Sequence, residues 1–191
     1  MRFIIQGNKP LQGIVTASGS KNAALPIICA TLLSEDQFRI TNVPDIADVR
    51  TLLSIMNYLG SEFVYQDNIL TIQTKEIKTR DIPLDLVNAM RASILLIGPL
   101  LARMKKISIG YPGGCVLGKR PIDTPLDAFR ALGVKIQEKG DTIQLDARDA
   151  IPKKVVLKEI SVTATENILM FASGLSGETE LRLAAQEPHV K

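Results

Sequence analysis

Tryptophan is absent from this chain of 191 residues, and aromatic residues make up only 4% of it. The formal net charge is +3, and no run of basic residues alternates with aromatic ones. Nucleic-acid binding by base stacking needs a basic groove lined with aromatic side chains. The composition therefore argues against a nucleic-acid partner.

Histidine and cysteine are scarce. The one histidine is His189, the two cysteines are Cys29 and Cys115, and no spacing among these residues is typical of a metal site. Cys29 lies in an apolar helical run, so we expect it to be a small buried hydrophobe. The sequence predicts no metal and no cofactor.

Long hydrophobic runs are missing as well. No apolar stretch reaches the roughly 20 residues needed to span a bilayer, and the first residues lack a signal-peptide pattern. The longest apolar run, residues 92–102, is typical of a core helix. With 46% hydrophobic and 23% charged residues, the chain has an ordinary globular composition. We expect a cytoplasmic protein without a membrane partner.

The most distinctive stretch present is residues 111–123, Tyr-Pro-Gly-Gly-Cys-Val-Leu-Gly-Lys-Arg-Pro-Ile-Asp. Its glycines contribute nothing to a core, but they let the backbone approach a ligand closely. A thiol among backbone N–H groups and near Lys119 and Arg120 ionises more readily than a free thiol. Cys115 is therefore the strongest candidate for chemistry, and the two cations indicate an anionic substrate.

A weak internal repeat organises the chain, in the order helix, strand, helix, hairpin. The first copy is predicted at 21–33, 38–43, 46–59 and 62–72, and the second at 86–103, 106–110, 125–132 and 135–145. A third copy begins with a helix at 165–175 and a strand at 180–184, and its remaining elements are missing. Leu-Gly pairs at 59–60 and 132–133 are typical helix stops.

The repeats predict an α/β (α+β) fold with units at about 21–80, 81–150 and 151–191, the last one incomplete. The second copy has about five more residues than the first between its strand and its second helix. These extra residues lie around Cys115. Insertions of this kind usually carry function, because loops tolerate them and the scaffold holds their ends.

Several motifs, taken in order, resemble one family. They are residues 18–26 (Ser-Gly-Ser-Lys-Asn-Ala-Ala-Leu-Pro), the Cys115 loop, 120–123 (Arg-Pro-Ile-Asp), 161–167 (Ser-Val-Thr-Ala-Thr-Glu-Asn) and 184–188 (Ala-Ala-Gln-Glu-Pro). The chain is similar over essentially its whole length to the UDP-N-acetylglucosamine 1-carboxyvinyltransferase family. The resemblance implies transfer of an enolpyruvyl group from phosphoenolpyruvate to the 3′-hydroxyl of UDP-N-acetylglucosamine, with release of phosphate. This is the first committed step of bacterial peptidoglycan synthesis.

The resemblance also implies an architecture. Family members have two inside-out, barrel-like α/β lobes, each built from three helix-and-sheet units. Residues 1–20 would then belong to the second lobe, and residues 21–191 would form the first lobe with its third unit truncated. The family's general base, an aspartate, and further arginines lie in the C-terminal half. We therefore expect no turnover from this chain alone, and association with itself or with a missing half.

The functional residues implied by the resemblance fall into three groups. Cys115 corresponds to the proton donor, which is also the residue that the epoxide fosfomycin modifies. Phosphoenolpyruvate would be bound by Lys21, Asn22 and Arg120. UDP-N-acetylglucosamine would be bound by Arg91, Arg120, Pro121, Ile122, Asp123, Thr124, Ser161, Val162 and Thr163.

Three positions depart from the family pattern. Thr124 replaces an apolar residue, Thr163 replaces a glycine, and Glu159 stands where some members have a phosphate-binding lysine. Asp123 has an alternative role as a helix N-cap.

Two other functions also stay open. One is a catalytically inactive lobe that binds nucleotide sugars or acts as a scaffold. The other is the sister activity of 3-phosphoshikimate 1-carboxyvinyltransferase, against which the cysteine loop and the Arg-Pro-Ile-Asp segment argue.

Overall fold

The computed structural model describes residues 2–8, 10, 12–79, 81–113 and 122–191. Its helices are α1 (Lys21–Ala30), α2 (Ala47–Leu59), α3 (Leu84–Asn88), α4 (Ile97–Met104), α5 (Asp123–Ala131) and α6 (Val162–Ala172), with 3₁₀ turns at Thr31–Leu33 and Arg91–Leu96. Its strands are β1 (Gln37–Ile40), β2 (Glu62–Gln66), β3 (Ile69–Gln73), β4 (Lys106–Gly110), β5 (Lys135–Lys139), β6 (Thr142–Asp146), β7 (Lys154–Val156) and β8 (Glu180–Arg182). The mixture of helices and strands agrees with the predicted α/β class.

Two antiparallel sheets of the same design form the first part of the structure. Their strand orders are β1-β3-β2 and β4-β6-β5, so the second strand of each hairpin lies at the centre. The central strands alternate buried and half-buried side chains, as expected for sheets with one face against the core. Leu70 and Ile72 of β3 and Ile143 and Leu145 of β6 are fully buried.

Glycine ends the helix that precedes each hairpin. Gly60 has φ +109° and Gly133 has φ +92°. A residue with a side chain is strained in this left-handed region. This conformation explains why glycine follows leucine at the two helix ends predicted from the sequence.

The third sheet differs from the other two. It consists of β7 and β8, which pair in parallel on either side of α6 in the chain. The short strand β7 is missing from the sequence prediction, because its three residues are too few to show alternation.

The predicted single helix over 86–103 is wrong. The chain forms α3, then Met90 in an extended conformation, then the 3₁₀ turn Arg91–Leu96, and only then α4. Residues 93–101 are all buried, so the apolar pattern has no exposed face that would indicate where the helix breaks. Helix α6 also begins at Val162, earlier than predicted, and this places Thr163 in its first turn.

Helices α4 and α6 pack together in the core. The side-chain oxygen of the fully buried Asn167 accepts a hydrogen bond of 2.8 Å from the backbone N–H of Gly98, at the start of α4. The Asn167 amide donates in turn to the carbonyl of Thr163 at 3.0 Å. One side chain thus satisfies an N–H group that the first turn of a helix leaves without a partner. Within the described ranges, no helix has the length and apolar character to cross a membrane.

Gly98→Ala is predicted to lower the free energy of unfolding by about 2 kcal/mol, as overpacking of a core does. A Cβ atom at position 98 would lie 2.4 Å from the backbone oxygen of Asn167, so α4 and α6 would have to separate. Urea denaturation of the variant measures the change. Gly7→Ala is the matched control, because its Cβ meets nothing within 4 Å. Equal stability of the two variants would contradict the packing described here.

Candidate functional site

A cavity of about 530 Å³ lies where several helices begin. Its walls come from the first turns of α1, α5 and α6, from the 3₁₀ turn at Arg91, and from the segment after β8. The predicted site residues on its wall are Lys21, Asn22, Arg91, Ile122, Thr124, Ser161, Val162 and Thr163. Residues from four distant parts of the sequence thus share one cavity, while their role in binding stays a prediction.

The start of α1 presents backbone N–H groups to this cavity. Ser20 caps the helix, since its hydroxyl accepts a hydrogen bond of 3.3 Å from the N–H of Ala23. Lys21 and Asn22 follow in the first turn, and the Lys21 ammonium forms an ion pair of 2.8 Å with Asp48. Gly19 is required here, because a Cβ would lie 1.8 Å from the carbonyl oxygen of Asn42. A capped helix start with a cation beside it favours an anionic ligand.

The start of α6 is built in the same way. The hydroxyl of Ser161 accepts a hydrogen bond of 3.3 Å from the N–H of Ala164, and Val162 and Thr163 follow on the cavity wall. Thr163 lies within the helix and has no positive φ, so this backbone does not need the glycine of the family pattern. The threonine is compatible with the fold at this position.

Arg91 begins the 3₁₀ turn between α3 and α4 and is half-buried on the cavity wall. The turn packs on both α1 and α6, so it lies between the two capped helix starts. The neighbouring Ser93 is fully buried and donates a hydrogen bond of 3.0 Å to the carbonyl of Val87. The planar guanidinium of arginine suits phosphate and carboxylate groups.

Three predicted site residues lie at the start of α5, and two of them line the cavity. Ile122 and Thr124 are on the wall, whereas Asp123 is exposed and is not. Asp123 is also not the N-cap, because the helix begins at Asp123 itself and Ile122 precedes it without a capping side chain. The Thr124 hydroxyl donates a hydrogen bond of 2.9 Å to the Glu159 carboxylate. Two of the three departures from the family pattern therefore pair with each other.

The predicted proton donor, Cys115, lies outside the described residues, as do Arg120 and Pro121. The described residues on either side, Gly113 and Ile122, are both in close contact with the rest of the fold. A Cβ at Gly113 would lie 2.3 Å from the carbonyl oxygen of Asn88, so the backbones touch there. At the other end, Ile122 lies on the cavity wall.

The other cysteine is buried as predicted. Cys29 has no exposed surface, and its burial raises the pKa of its thiol well above the usual value. A thiol of this kind is chemically inert.

Sequence reasoning missed an acidic group on the cavity wall. It comprises Glu166 on α6 with Glu187 and His189 after β8, and the Glu166 carboxylate lies 3.6 Å from His189 Nε2. Burial, with the nearby charge of Glu187, raises the pKa of Glu166 to about 7. The signal available in the sequence was a charged residue, Glu166, just before the apolar residues 168–171 of the same helix, since an ionisable group in a helix core needs a partner or a function.

Comparison with known proteins shows the family of the chain. The family described as EPSP synthase (3-phosphoshikimate 1-carboxyvinyltransferase) matches residues 5–191.

The chain belongs to the EPSP synthase family.

Within that family, the chain is similar to proteins named UDP-N-acetylglucosamine 1-carboxyvinyltransferase. The protein of Endomicrobium trichonymphae is 42% identical over 191 residues, which are 100% of this chain and 46% of the relative. The protein of a Nitratiruptor species is 41% identical over 187 residues, 97% of this chain and 44% of the relative. The resemblance inferred from the motifs is confirmed, and the chain spans less than half the length of these curated relatives.

A solved structure supports the fold. The enolpyruvyl transferase NikO from Streptomyces tendae aligns with a TM-score of 0.81 and 22% identity, over 96% of this chain and 43% of that chain. At this identity the likeness concerns the fold alone, and the predicted fold class is confirmed.

Glu166→Gln is predicted to change how stability depends on pH. Folded Glu166 holds its proton up to about pH 7, whereas the unfolded chain releases it near the ordinary value of 4.5. The folded state binds more protons between these values, so wild-type stability falls as pH rises from about 5 to about 7. Urea unfolding across this range is expected to give a flatter profile for the variant. Identical pH profiles for the two proteins would contradict the raised pKa.

Proposed function

We propose that this chain forms the anion-binding part of an enolpyruvyl transferase that joins phosphoenolpyruvate to the 3′-hydroxyl of UDP-N-acetylglucosamine and releases phosphate. One observation supports this above all others. Capped helix starts and two cationic side chains, Lys21 and Arg91, share one cavity. On the same resemblance, the reaction is the first committed step of peptidoglycan synthesis and takes place in the cytoplasm.

The chemistry of the substrates fits such a cavity. Phosphoenolpyruvate carries a phosphate and a carboxylate, and UDP-N-acetylglucosamine carries a diphosphate. Each charge taken from water must gain hydrogen bonds or a counter-ion. Helix N–H groups, Lys21 and Arg91 provide both, and N–H groups in a rigid helix need no rearrangement as charge develops in the transition state.

The proposal gives each substrate its own set of residues. Phosphoenolpyruvate is bound by Lys21 and Asn22 at the start of α1, together with Arg120. UDP-N-acetylglucosamine is bound by Arg91, Arg120, Pro121, Ile122, Asp123, Thr124, Ser161, Val162 and Thr163. Asp123 is the weakest member of this set, because its exposed side chain is not on the cavity wall.

Cys115 is the proposed proton donor. As the sugar oxygen bonds to the central carbon of the enol, the thiol transfers its proton to the methylene carbon, and a tetrahedral adduct forms. Phosphate then leaves while a proton is lost from the new methyl group, which restores the double bond. The resemblance places the base that deprotonates the sugar hydroxyl outside residues 1–191, so we expect binding without turnover from this chain alone.

A titration separates this activity from the sister reaction on shikimate 3-phosphate, which the family description makes the main competitor. We expect isothermal titration calorimetry to detect binding of UDP-N-acetylglucosamine and none of shikimate 3-phosphate. Arg91→Lys is expected to weaken binding about tenfold, since lysine keeps the charge and loses the planar two-point contact. The matched control is Arg39→Lys, on an exposed strand position away from the cavity. A preference for shikimate 3-phosphate would contradict the proposal.

Fosfomycin labelling tests the role of Cys115. Mass spectrometry of protein treated with the epoxide and UDP-N-acetylglucosamine is expected to find one adduct, on the peptide that contains Cys115. Cys29 is the internal control, because it is fully buried and its thiol pKa is raised. Cys115→Ser is expected to abolish labelling, and Cys29→Ala to keep it. An adduct on Cys29, or no adduct on the native protein, would overturn the assignment.

A further inference from the structure

Three buried polar atoms on the cavity wall have no hydrogen-bond partner among the described residues. They are Glu166 Oε1, Glu187 Oε2 and His189 Nε2. Glu166 Oε1 and His189 Nε2 are separated by 3.6 Å, which is too long for a hydrogen bond. Only 9% of the Glu166 side chain and 16% of the His189 side chain are exposed.

An arrangement of this kind destabilises the fold unless something completes it. A buried polar atom without a partner loses its hydrogen bonds to water and gains none in return, and most such atoms in folded proteins have a partner. Here, three such unpartnered atoms belong to residues that line the same cavity. Within the described ranges, no group of His, Cys, Asp and Glu residues has the geometry of a metal site. The group is therefore better suited to a hydrogen-bonding ligand than to a metal ion.

The backbone holds these three residues in place. Glu166 lies in the second turn of α6. The neighbouring Thr165 hydroxyl accepts a hydrogen bond of 2.9 Å from the N–H of Ala185, which fixes the segment after β8 against α6. A further bond of 2.9 Å, from the N–H of Val190 to the carbonyl of Glu187, closes a turn around His189. The backbone that carries the three side chains is thus held in place by hydrogen bonds.

The surrounding charges limit what can bind there. Charged residues on elements packed against α6 are Arg91 in the 3₁₀ turn, Arg103 on α4, and Asp123, Asp127 and Arg130 on α5. Of these, only Arg91 is on the cavity wall, together with Lys21, Asp48 and Glu159 from other elements. The thiol of Cys29 also senses Glu166, whose charge contributes to its raised pKa.

The functional groups themselves indicate the ligand class. Two carboxylates repel a phosphate, so this part of the wall differs from the helix starts near Lys21 and Arg91. Carboxylates accept hydrogen bonds, while an imidazole or a protonated carboxyl donates one. A hydroxyl group can do both at once, and it carries no charge to be desolvated.

We propose that Glu187 and His189, backed by Glu166, form a hydroxyl-binding subsite of this cavity, which holds the uncharged sugar part of a nucleotide-sugar ligand. The subsite rests on the proposed function for the identity of that ligand. It divides the cavity into a cationic part for the phosphates and an acidic part for the sugar. Glu166 acts as a positioning residue, because its Oε1 atom is buried and only 9% of its side chain is exposed.

Comparison of UDP with UDP-N-acetylglucosamine tests the subsite, since the two ligands share the diphosphate and differ in the sugar. The measured quantity is the ratio of their dissociation constants by calorimetry. We expect Glu187→Ala and His189→Ala to reduce the advantage of the sugar ligand about tenfold and to leave UDP binding within twofold. The conservative variant Glu187→Gln is expected to recover part of the advantage, because its amide oxygen still accepts hydrogen bonds.

The pH dependence of the same ratio tests Glu166. Its pKa of about 7 implies that it loses its proton between pH 6 and 8, after which adjacent carboxylates repel each other. We expect the advantage of the sugar ligand to fall as pH rises through this range in the wild type, and to stay constant in Glu166→Gln. A purely structural role would change both ligands equally and leave the ratio independent of pH.

Each contrary outcome has a distinct meaning. If wild-type protein binds UDP and UDP-N-acetylglucosamine with equal affinity, the subsite is wrong and the proposed nucleotide site stands. If the variants weaken UDP and the sugar nucleotide equally, the three residues only support the fold and the inference is overturned. If wild-type protein binds neither nucleotide, both the proposed function and the subsite are overturned.

Discussion

The hydrogen bond from the Gly98 N–H to the buried Asn167 side chain joins two repeats of the chain. It lies at the start of α4, directly after the 3₁₀ turn of Arg91, and within the second turn of α6, directly after Ser161–Thr163. A side chain at position 98 would force these helices apart, so the distance between the Arg91 turn and the start of α6 depends on a glycine. The 3₁₀ turn also packs on α1. The start of α1 therefore lies close to the Arg91 turn and the start of α6.

One cavity collects the starts of several helical segments. Helix α1, the 3₁₀ turn running into α4, and α6 direct their N-terminal ends to the same space. Each end leaves backbone N–H groups without helical partners and carries a partial positive charge. The charges add, and Lys21 and Arg91 strengthen them. The positive ends of the helices thus lie beside Lys21 and Arg91, on a wall that also carries Asp48, Glu159, Glu166 and Glu187.

The sequence predicted local features well where a residue type has a single structural role, as glycine has at a helix end. Gly60 and Gly133 marked helix ends and both hairpins were located, whereas the start of α6 was predicted at 165 instead of Val162. It failed between residues 86 and 103, because residues 93–101 are all buried and their apolar pattern does not separate the 3₁₀ turn from α4. The Thr124–Glu159 hydrogen bond and the Glu166–His189 contact were also beyond sequence reasoning. Each joins residues 23 or more positions apart, and only the fold determines that they meet.

Nuclear magnetic resonance of the backbone amides, recorded as UDP-N-acetylglucosamine is added, tests the central claim most directly. That claim is that the helix starts of three repeats act as one anion site. The account predicts that the amide signals of Lys21–Asn22, Arg91 and Ser161–Thr163 shift together, along one binding curve with a single dissociation constant. Shifts confined to one of these segments, or shifts that follow separate binding curves, would contradict it.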